Sequence, residues 1–322
     1  MASIYYCIRT KPTAGGQFVN AEHVAALREL GLRAYLLYIP SANGIERFSA
    51  GSAAMLLYSD HQTFRHDDVV VVPEPWKPGL EYFSRQVCQK VMHCQNAFYL
   101  FHGFDDVQSI GAAGYQHMLS CSEYTTKAVK GFGYAYPIHT VRPFVPKDFF
   151  DTQKARRLQI AYMPRKRANE LVFVRGLFRS LYPQFNQIEW VSIQDVTREE
   201  CAALLQQSAI FAAFSFTEGL GLPPLEAMAA GCVIVGFHGL GGLDYANAYN
   251  GLWVEEGDYE SYAHQLAKAI ALYHSDNRLS LYREHCQKTL LNYSYNQFSQ
   301  SLKTSWQAIL GERYHEFLLD SD

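Results

Sequence analysis

Two glutamates, Glu218 and Glu226, are the side chains of this sequence whose type and spacing best suit the recognition of hydroxyl groups. A carboxylate accepts hydrogen bonds from the hydroxyls of a sugar or a ribose. Between the two glutamates lies Gly-Leu-Gly-Leu at 219–222, and its glycines let a ligand approach the backbone closely. Loop amides and the N-terminus of a helix favour an anion or sugar oxygens. The pattern therefore indicates a small pocket between two carboxylates, which could bind two different polyols.

The elements around this loop can be predicted from the apolar pattern. The segments 209–214 and 232–237 are apolar and predict buried strands. Pro223 and Pro224 suit the first turn of a helix, where a missing N–H is no loss, and Gly231 suits the helix end. The expected unit is strand, loop, short helix and strand. It places the first glutamate at the mouth of the loop and the second in or near the first helical turn.

Three cations, Arg165, Lys166 and Arg167, follow another predicted strand at 158–163. Arginine and lysine can compensate the negative charge that grows on a diphosphate as its bond to a sugar breaks. The group therefore indicates an anion site. The alternative is a solvated basic loop.

The combination of spacing, glycine loop, helix and flanking strands resembles the donor site of retaining glycosyltransferases of the GT-B fold. These are the family 4-like group, also called glycosyl transferases group 1, with a Glu-x7-Glu motif. The resemblance implies an α/β fold with two Rossmann-like parallel-sheet domains facing each other across a cleft. It implies that Glu226 holds the ribose of the nucleotide and that Glu218 contacts the donor sugar. It also implies that four residues of the loop bind the sugar and diphosphate: Gly219, Leu220, Gly221 and Leu222.

The resemblance extends to the three cations. The family usually carries an arginine and a lysine several residues apart at this place. Arg165 matches the arginine, but Glu170 stands where the lysine is expected. Lys166 is therefore the candidate for the second cation.

Two features of the first half are further candidates. A predicted strand at 97–101 delivers His102 to its carboxyl end, where ligands bind in parallel α/β sheets. In the family a histidine or polar group at this place reaches the donor sugar or the acceptor, and a structural role is the alternative. Gly15 and Gly16 follow the first predicted strand. They match the family's N-terminal glycine loop, which lies across the cleft from the donor phosphates, and a plain turn fits them equally well.

The length of 322 residues suggests two domains. We expect an acceptor-binding Rossmann-like domain at 1–150 and a nucleotide-sugar-binding one at 151–298. The segment 299–322 is expected to contain a helix that crosses back to the first domain, as is common in this fold. Elsewhere in the first domain, the pattern at 79–92 predicts a helix.

Composition and charge exclude several classes of protein. The net charge of −3 gives no basic field for nucleic acid, and no apolar stretch is long enough to span a membrane. Seven scattered cysteines without a Cys-x-x-Cys pair, and an N-terminus without a signal-peptide pattern, predict a cytoplasmic protein. Contact with the inner face of the membrane stays open. The only Asp-x-Asp lies at 320–322 and no His-Glu-x-x-His occurs, so no metal site is expected.

The predicted function is retaining, metal-independent transfer of a hexose-type unit from a UDP- or GDP-linked sugar to a hydroxyl, with no other cofactor. The acceptor is a glycan, a lipid-linked intermediate or a small molecule, and glycan or polysaccharide biosynthesis is the expected context. Two alternatives stay open: a catalytically silent nucleotide-sugar-binding subunit of a glycosyltransferase complex, and a GT-B nucleotide-sugar epimerase.

Overall fold

The computed structural model describes residues 1–9, 15–39, 55–57, 63–150 and 156–319 of the chain. The chain divides into two units, one formed by Met1–Pro143 with Phe298–Asp322 and the other by Phe144–Gln297. Each unit contains one parallel β-sheet, and helices lie in many of the connections between its strands. This arrangement confirms the prediction of two Rossmann-like α/β units.

The first unit is built on a sheet whose described strands are all parallel to their neighbours. The strands are β1 (Ile4–Ile8), β2 (Ala34–Tyr38), β3 (Met55–Leu57), β4 (Val69–Pro73), β5 (Gln89–Cys94), β6 (Tyr115–Ser120) and β7 (Ile138–Thr140). Their order is β3-β2-β1-β4-β5-β6-β7. The helices are α1 (Gly15–Glu29), α2 (Lys77–Ser84), α3 (Leu100–Gly103), α4 (Val107–Ala112) and α5 (Glu123–Gly131).

The second unit has a smaller parallel sheet, in which β10 is the central strand. The strands are β8 (Arg157–Tyr162), β9 (Glu189–Ser192), β10 (Ser208–Glu218), β11 (Val233–Leu240) and β12 (Leu252–Trp253). Their order is β12-β11-β10-β8-β9. The helices are α6 (Ala168–Leu181), α7 (Arg198–Gln207), α8 (Leu222–Ala229), α9 (Tyr259–Tyr273) and α10 (Asp276–Leu290), and α11 (Tyr295–Leu310) begins here.

Most of α11 belongs to the first unit. The unit boundary falls between Gln297 and Phe298, inside this continuous helix. The fully buried Trp306 donates a hydrogen bond from its indole N–H to the hydroxyl of Tyr6 on β1, at 3.2 Å. Beyond the helix, the backbone N–H of Arg33 donates to the carbonyl of Phe317. Residues from both ends of the chain therefore form the core of the first unit.

The predicted helix at 79–92 is correct only for its first part. Helix α2 ends at Ser84, and Gln89–Cys94 form β5. Val91 and Met92 are fully buried, and β5 pairs with both β4 and β6. Pairing within the sheet outweighs the local helical pattern, because strand formation depends strongly on tertiary context.

The predicted strand at 97–101 is wrong. These residues form a 3-10 turn, Ala97–Tyr99, and the start of α3. The side chain of Asn96 caps the turn by accepting a hydrogen bond from the N–H of Phe98, at 3.0 Å. The side chain of Phe101 is 48% exposed, so the apolar run is no buried strand.

Candidate functional site

The central strand β10 leaves the regular ladder at its carboxyl end. It pairs with β11 from Ile210 to Ser215, and the pairing resumes at Glu218 only after an irregularity. Thr217 between them has a φ of 42°, a conformation that residues other than glycine rarely adopt. Such residues cost about 1–3 kcal/mol, and they persist where the surrounding structure holds them, often at functional sites. We call residues 215–218 the bend.

Lys166 and Glu218 are brought together at the bend. The Lys166 ammonium lies 2.8 Å from a carboxylate oxygen of Glu218 and donates a hydrogen bond to the carbonyl of Phe216 at 3.0 Å. Both side chains are mostly buried, with 17% and 23% of their surface exposed. Arg165 is exposed and makes no hydrogen bond or ion pair with any residue that the structure describes. Lys166 and Arg165 therefore lie in different environments.

Arg167 is the buried member of the three, and no role of its own was predicted for it. Its Nε donates to the carbonyl of Ser215 at 3.0 Å, and its Nη2 donates to Glu256 at 2.7 Å. It also forms an ion pair with Glu170. Burial acts to lower the pKa of Arg167, but the bonds to the two carboxylates outweigh it, and the pKa is raised. The guanidinium is therefore held charged in place.

Two aromatic rings enclose the Arg167 guanidinium. Its carbon lies 4.5 Å from the ring centre of Phe216 and 4.7 Å from that of Phe237. Glu170 lies three residues after Arg167, at the spacing of neighbours on a helix. The same is true of Lys166, which lies four residues before Glu170, so the spacing sets Arg167 apart from Arg165 but not from Lys166.

The glycine loop, residues 219–222, leads directly into α8. Gly221 has a φ of 85° and occupies the N-cap of α8, with a proline in the first turn as predicted. The hydroxyl of Tyr245 donates to the Gly221 carbonyl at 2.7 Å. Because Pro223 and Pro224 carry no N–H, the helix end offers fewer donors than an ordinary first turn.

The second glycine-rich segment, residues 239–242, packs against the glycine loop. A Cβ atom added to Gly241 would lie 2.4 Å from the carbonyl oxygen of Glu218 and 2.5 Å from the carbonyl carbon of Gly219. Real Cβ atoms essentially never come closer than 3.0 Å to another heavy atom. The two backbones therefore touch, and Gly241 is required at this contact.

Glu226 lies in α8, half-buried. Burial is the main cause that raises the pKa of Tyr245 well above its usual value, and the carboxylates of both Glu218 and Glu226 add to it. The two predicted glutamates, at either end of the glycine loop, therefore both help to raise the pKa of the same phenol.

The candidates of the first unit are differently placed. His102 lies on α3, exposed, with its ring centre 5.4 Å from that of Tyr99, so it does not end a strand. Gly15 and Gly16 are the first residues of α1, and Gln95 donates to the carbonyl of Gly16 at 2.8 Å. The stretch 10–14 before them lies outside the described residues.

Glu74 was missed by the sequence analysis, although it directly follows the buried strand β4. It is 2% exposed, and one carboxylate oxygen accepts from the N–H of Asn96 at 2.9 Å. Its other oxygen has no hydrogen-bond partner among the described residues. Burial raises the pKa of Glu74 to about 8.

Comparison with known proteins identifies the family of this chain. A family model described as glycosyl transferases group 1 matches residues 186–285, which include both glutamates and Gly241. An alpha-1,6-glucosyltransferase of Actinobacillus pleuropneumoniae serotype 7 (strain AP76) is 34% identical over 279 residues, or 83% of this chain and 83% of the relative. The chain belongs to the group 1 glycosyl transferases. It is a glycosyltransferase.

Solved structures identify the fold of this group 1 glycosyl transferase. Anabaena Alr3699/HepE, in complex with UDP and glucose, has a TM-score of 0.66 at 12% identity and covers 96% of this chain and 100% of its own. The pneumococcal O-GlcNAc transferase GtfA, in complex with UDP and GlcNAc, has a TM-score of 0.69 at 10% identity and covers 97% and 99%. The similarity confirms the predicted GT-B fold. In the described part of the chain, no helix is long and apolar enough to cross a membrane.

Proposed function

We propose that this enzyme transfers a glucose unit from UDP-glucose to a glycan hydroxyl, with retention at the anomeric carbon and without a metal ion or other cofactor. The glucosyl unit is supported by the 34% identical relative, an alpha-1,6-glucosyltransferase. That relative's name also favours a primary 6-hydroxyl of a hexose as acceptor, in polysaccharide synthesis. UDP is favoured over GDP because both fold neighbours were solved with UDP.

The observation that carries the proposal is the Lys166–Glu218 ion pair beside the glycine loop. A lysine ammonium has three N–H donors. Among the described residues, two are used by the carbonyl of Phe216 and the carboxylate of Glu218. The third is left for a phosphate oxygen. In this proposal Glu218 receives sugar hydroxyls, and Lys166, with the exposed Arg165, holds the charge of the departing diphosphate.

The other contacts with the nucleotide sugar are assigned to the glycine loop and to α8. Glu226 accepts hydrogen bonds from the ribose hydroxyls. The backbone of the glycine loop, from Gly219 to Leu222, binds the diphosphate and sugar. Prolines in the first turn of α8 support this assignment to the loop rather than to the whole helix end.

We propose a same-face route for the transfer. The bond between the anomeric carbon and the diphosphate oxygen breaks, and the acceptor oxygen bonds to that carbon on the same face. The acceptor proton passes to a diphosphate oxygen, so that UDP leaves carrying the proton. Glu218 is ion-paired with Lys166, which supports a role in binding and speaks against one as a covalent nucleophile. The charge on the leaving group is compensated by the cations of the chain.

The first unit is proposed to bind the acceptor. Gly15 and Gly16 remain our candidates for contact with the nucleotide-sugar donor, as the family resemblance implies. Gln95, which follows the carboxyl end of β5, binds the Gly16 carbonyl, and ligands bind at that edge of parallel sheets. His102 stays a candidate on α3, without the strand-end position that first suggested it.

Donor binding is tested first with the wild-type enzyme. We expect UDP and UDP-glucose, but not GDP or ADP, to raise the melting temperature. At a ligand concentration a hundredfold above Kd, binding should increase the free energy of unfolding by about 2.7 kcal/mol. Glu226→Ala should weaken UDP binding by roughly 10-fold or more, since it removes charge-assisted hydrogen bonds. Glu189→Ala, at an exposed position on β9, is the matched control. A shift with GDP alone would refute the UDP assignment.

Transfer is tested by UDP release and by NMR of the product. Glu218→Gln should lower kcat by about 10²-fold or more. The α-linked donor should give an α-linked product, and EDTA should leave the rate unchanged. A β-linked product would refute retention. Binding of UDP-glucose without turnover on any hexose glycan would favour a silent binding subunit, and turnover without acceptor would favour an epimerase.

A further inference from the structure

The bend leaves backbone carbonyls that the sheet does not pair regularly. The ladder between β10 and β11 is irregular from Ser215 to Glu218, and buried carbonyls need a donor. Two adjacent carbonyls, those of Ser215 and Phe216, accept from two adjacent side chains, those of Arg167 and Lys166. The turn before α6 therefore holds the bend at two successive residues.

Arg167 is itself fixed from several sides. Its side chain is 2% exposed, and carboxylates of Glu170 and Glu256 neutralise its charge. The rings of Phe216 and Phe237 lie within 5 Å of the guanidinium carbon, an arrangement that suits the flat, weakly hydrated guanidinium better than an ammonium. A group so enclosed is shielded from a ligand. It acts only through the residues it holds.

We propose that Arg167 is a positioning residue for the sugar-binding half of the donor site. It fixes the Ser215 carbonyl and the Phe216 ring, and so holds Thr217 in its left-handed conformation. The following residue, Glu218, is thereby directed at Lys166. Strained backbone of this kind persists only when its surroundings determine it. This inference rests on the proposed function, because the sugar-binding role of Glu218 and Lys166 comes from there.

The nucleotide side and the sugar side of the donor site depend on different contacts. Glu226 and the nucleotide side depend on α8, and the glycine loop is held by Tyr245. Arg167 contacts neither. Weakening the contacts of Arg167 should therefore leave the affinity for UDP nearly unchanged. It should reduce the extra affinity that UDP-glucose has over UDP, and it should reduce turnover. A purely structural arginine would instead lower stability, with no selective effect on the sugar.

The substitution Arg167→Lys keeps the charge and removes the planar contacts. Arg175→Lys is the matched control, because Arg175 lies on α6 with its guanidinium 5.8 Å from the Trp190 ring centre, away from the bend. Hydrogen exchange of the ligand-free protein gives the first readout. We expect exchange of the amides at 216–219 to rise by about 10-fold or more in Arg167→Lys and to stay unchanged in the control. Exchange within twofold of wild type would overturn the proposal.

Kinetics give the second readout. In Arg167→Lys we expect kcat with UDP-glucose to fall by about 10²-fold, as for a catalytic group misplaced by about 1 Å, and Kd for UDP to stay within about threefold. An unchanged kcat, or equal losses of UDP and UDP-glucose affinity, would overturn it. Glu256→Gln should show the same pattern more weakly. Because Glu256 is 61% exposed, this variant keeps the test decisive if Arg167→Lys does not fold.

The two proposals fail in different ways. If the wild-type enzyme binds neither UDP nor UDP-glucose, the proposed function is wrong. The exchange experiment still decides whether Arg167 holds the bend, because it needs no ligand.

Discussion

Gly241→Ala is the substitution whose cost can be worked out most directly from the structure. The added Cβ would lie 2.4 Å from the Glu218 carbonyl oxygen, about 1 Å short of the 3.4 Å at which ordinary contact begins. Both nearest neighbours, in Glu218 and Gly219, are backbone atoms, so no side chain can rotate away. The segment 239–242 and the glycine loop must separate. Overpacking of this kind costs about 1–3 kcal/mol of stability.

The functional loss should exceed the loss of stability. A shift of about 1 Å in the backbone that carries Glu218 is expected to lower kcat by about 10²-fold. Urea unfolding measures the loss of stability. The rate of UDP release from UDP-glucose, compared at equal concentrations of folded enzyme, measures the loss of kcat. Gly176→Ala is the control, because a Cβ there meets nothing within 4 Å. It should be neutral or stabilise α6 by about 0.5–1 kcal/mol. A wild-type kcat in folded Gly241→Ala would refute the argument that this contact positions the site.

Three further predictions follow. In a double-mutant cycle of Lys166→Met and Glu218→Gln, urea unfolding should give a coupling of at least about 1 kcal/mol for this mostly buried pair, and additive losses would contradict the ion pair. Burial raises the pKa of Glu74 from 4.5 to about 8, so wild-type stability should fall as pH rises from about 4.5 through about 8. Glu74→Gln should lack that slope, and an equal slope would refute a raised pKa. Tyr245→Phe should cost about 1 kcal/mol by thermal unfolding, since it removes the bond to the Gly221 carbonyl; no loss would mean that this bond contributes nothing.

The elements of the second unit were predictable because their signals are local. The apolar runs of β10 and β11 lie inside a sheet covered on both faces, and such strands read as continuous hydrophobic segments. Pro223 and Pro224 predicted the start of α8, and Thr197 with Glu200 forms the capping box that starts α7. These signals are physical requirements of the helix or strand itself.

The errors arose where the deciding contacts are distant. β5 is a strand because β4 and β6 lie beside it, and its own residues fit a helix equally well. The aromatic run at 97–101 suggested burial, yet Phe98 is 40% exposed.

The same limit applies at the site. Glu218 and Glu226 are candidates because of their spacing, which is visible in the sequence alone. The burial of Arg167 depends on Phe237 and Glu256, which lie far along the chain, so the local sequence does not show which of the three cations is buried. Glu74 has a raised pKa only because the fold buries it.

The unit boundary inside α11 has a consequence for the order of folding during synthesis. The first unit needs Trp306 and the Phe317 carbonyl, both contributed after the second unit. A ribosome adds about 5–20 residues per second, so roughly 8–30 s separate the two parts of the first unit. The surface of β1 and α1 that receives α11 stays uncovered for that interval. We expect the half that is made first to be finished last, and to be the part of the nascent chain that chaperones bind.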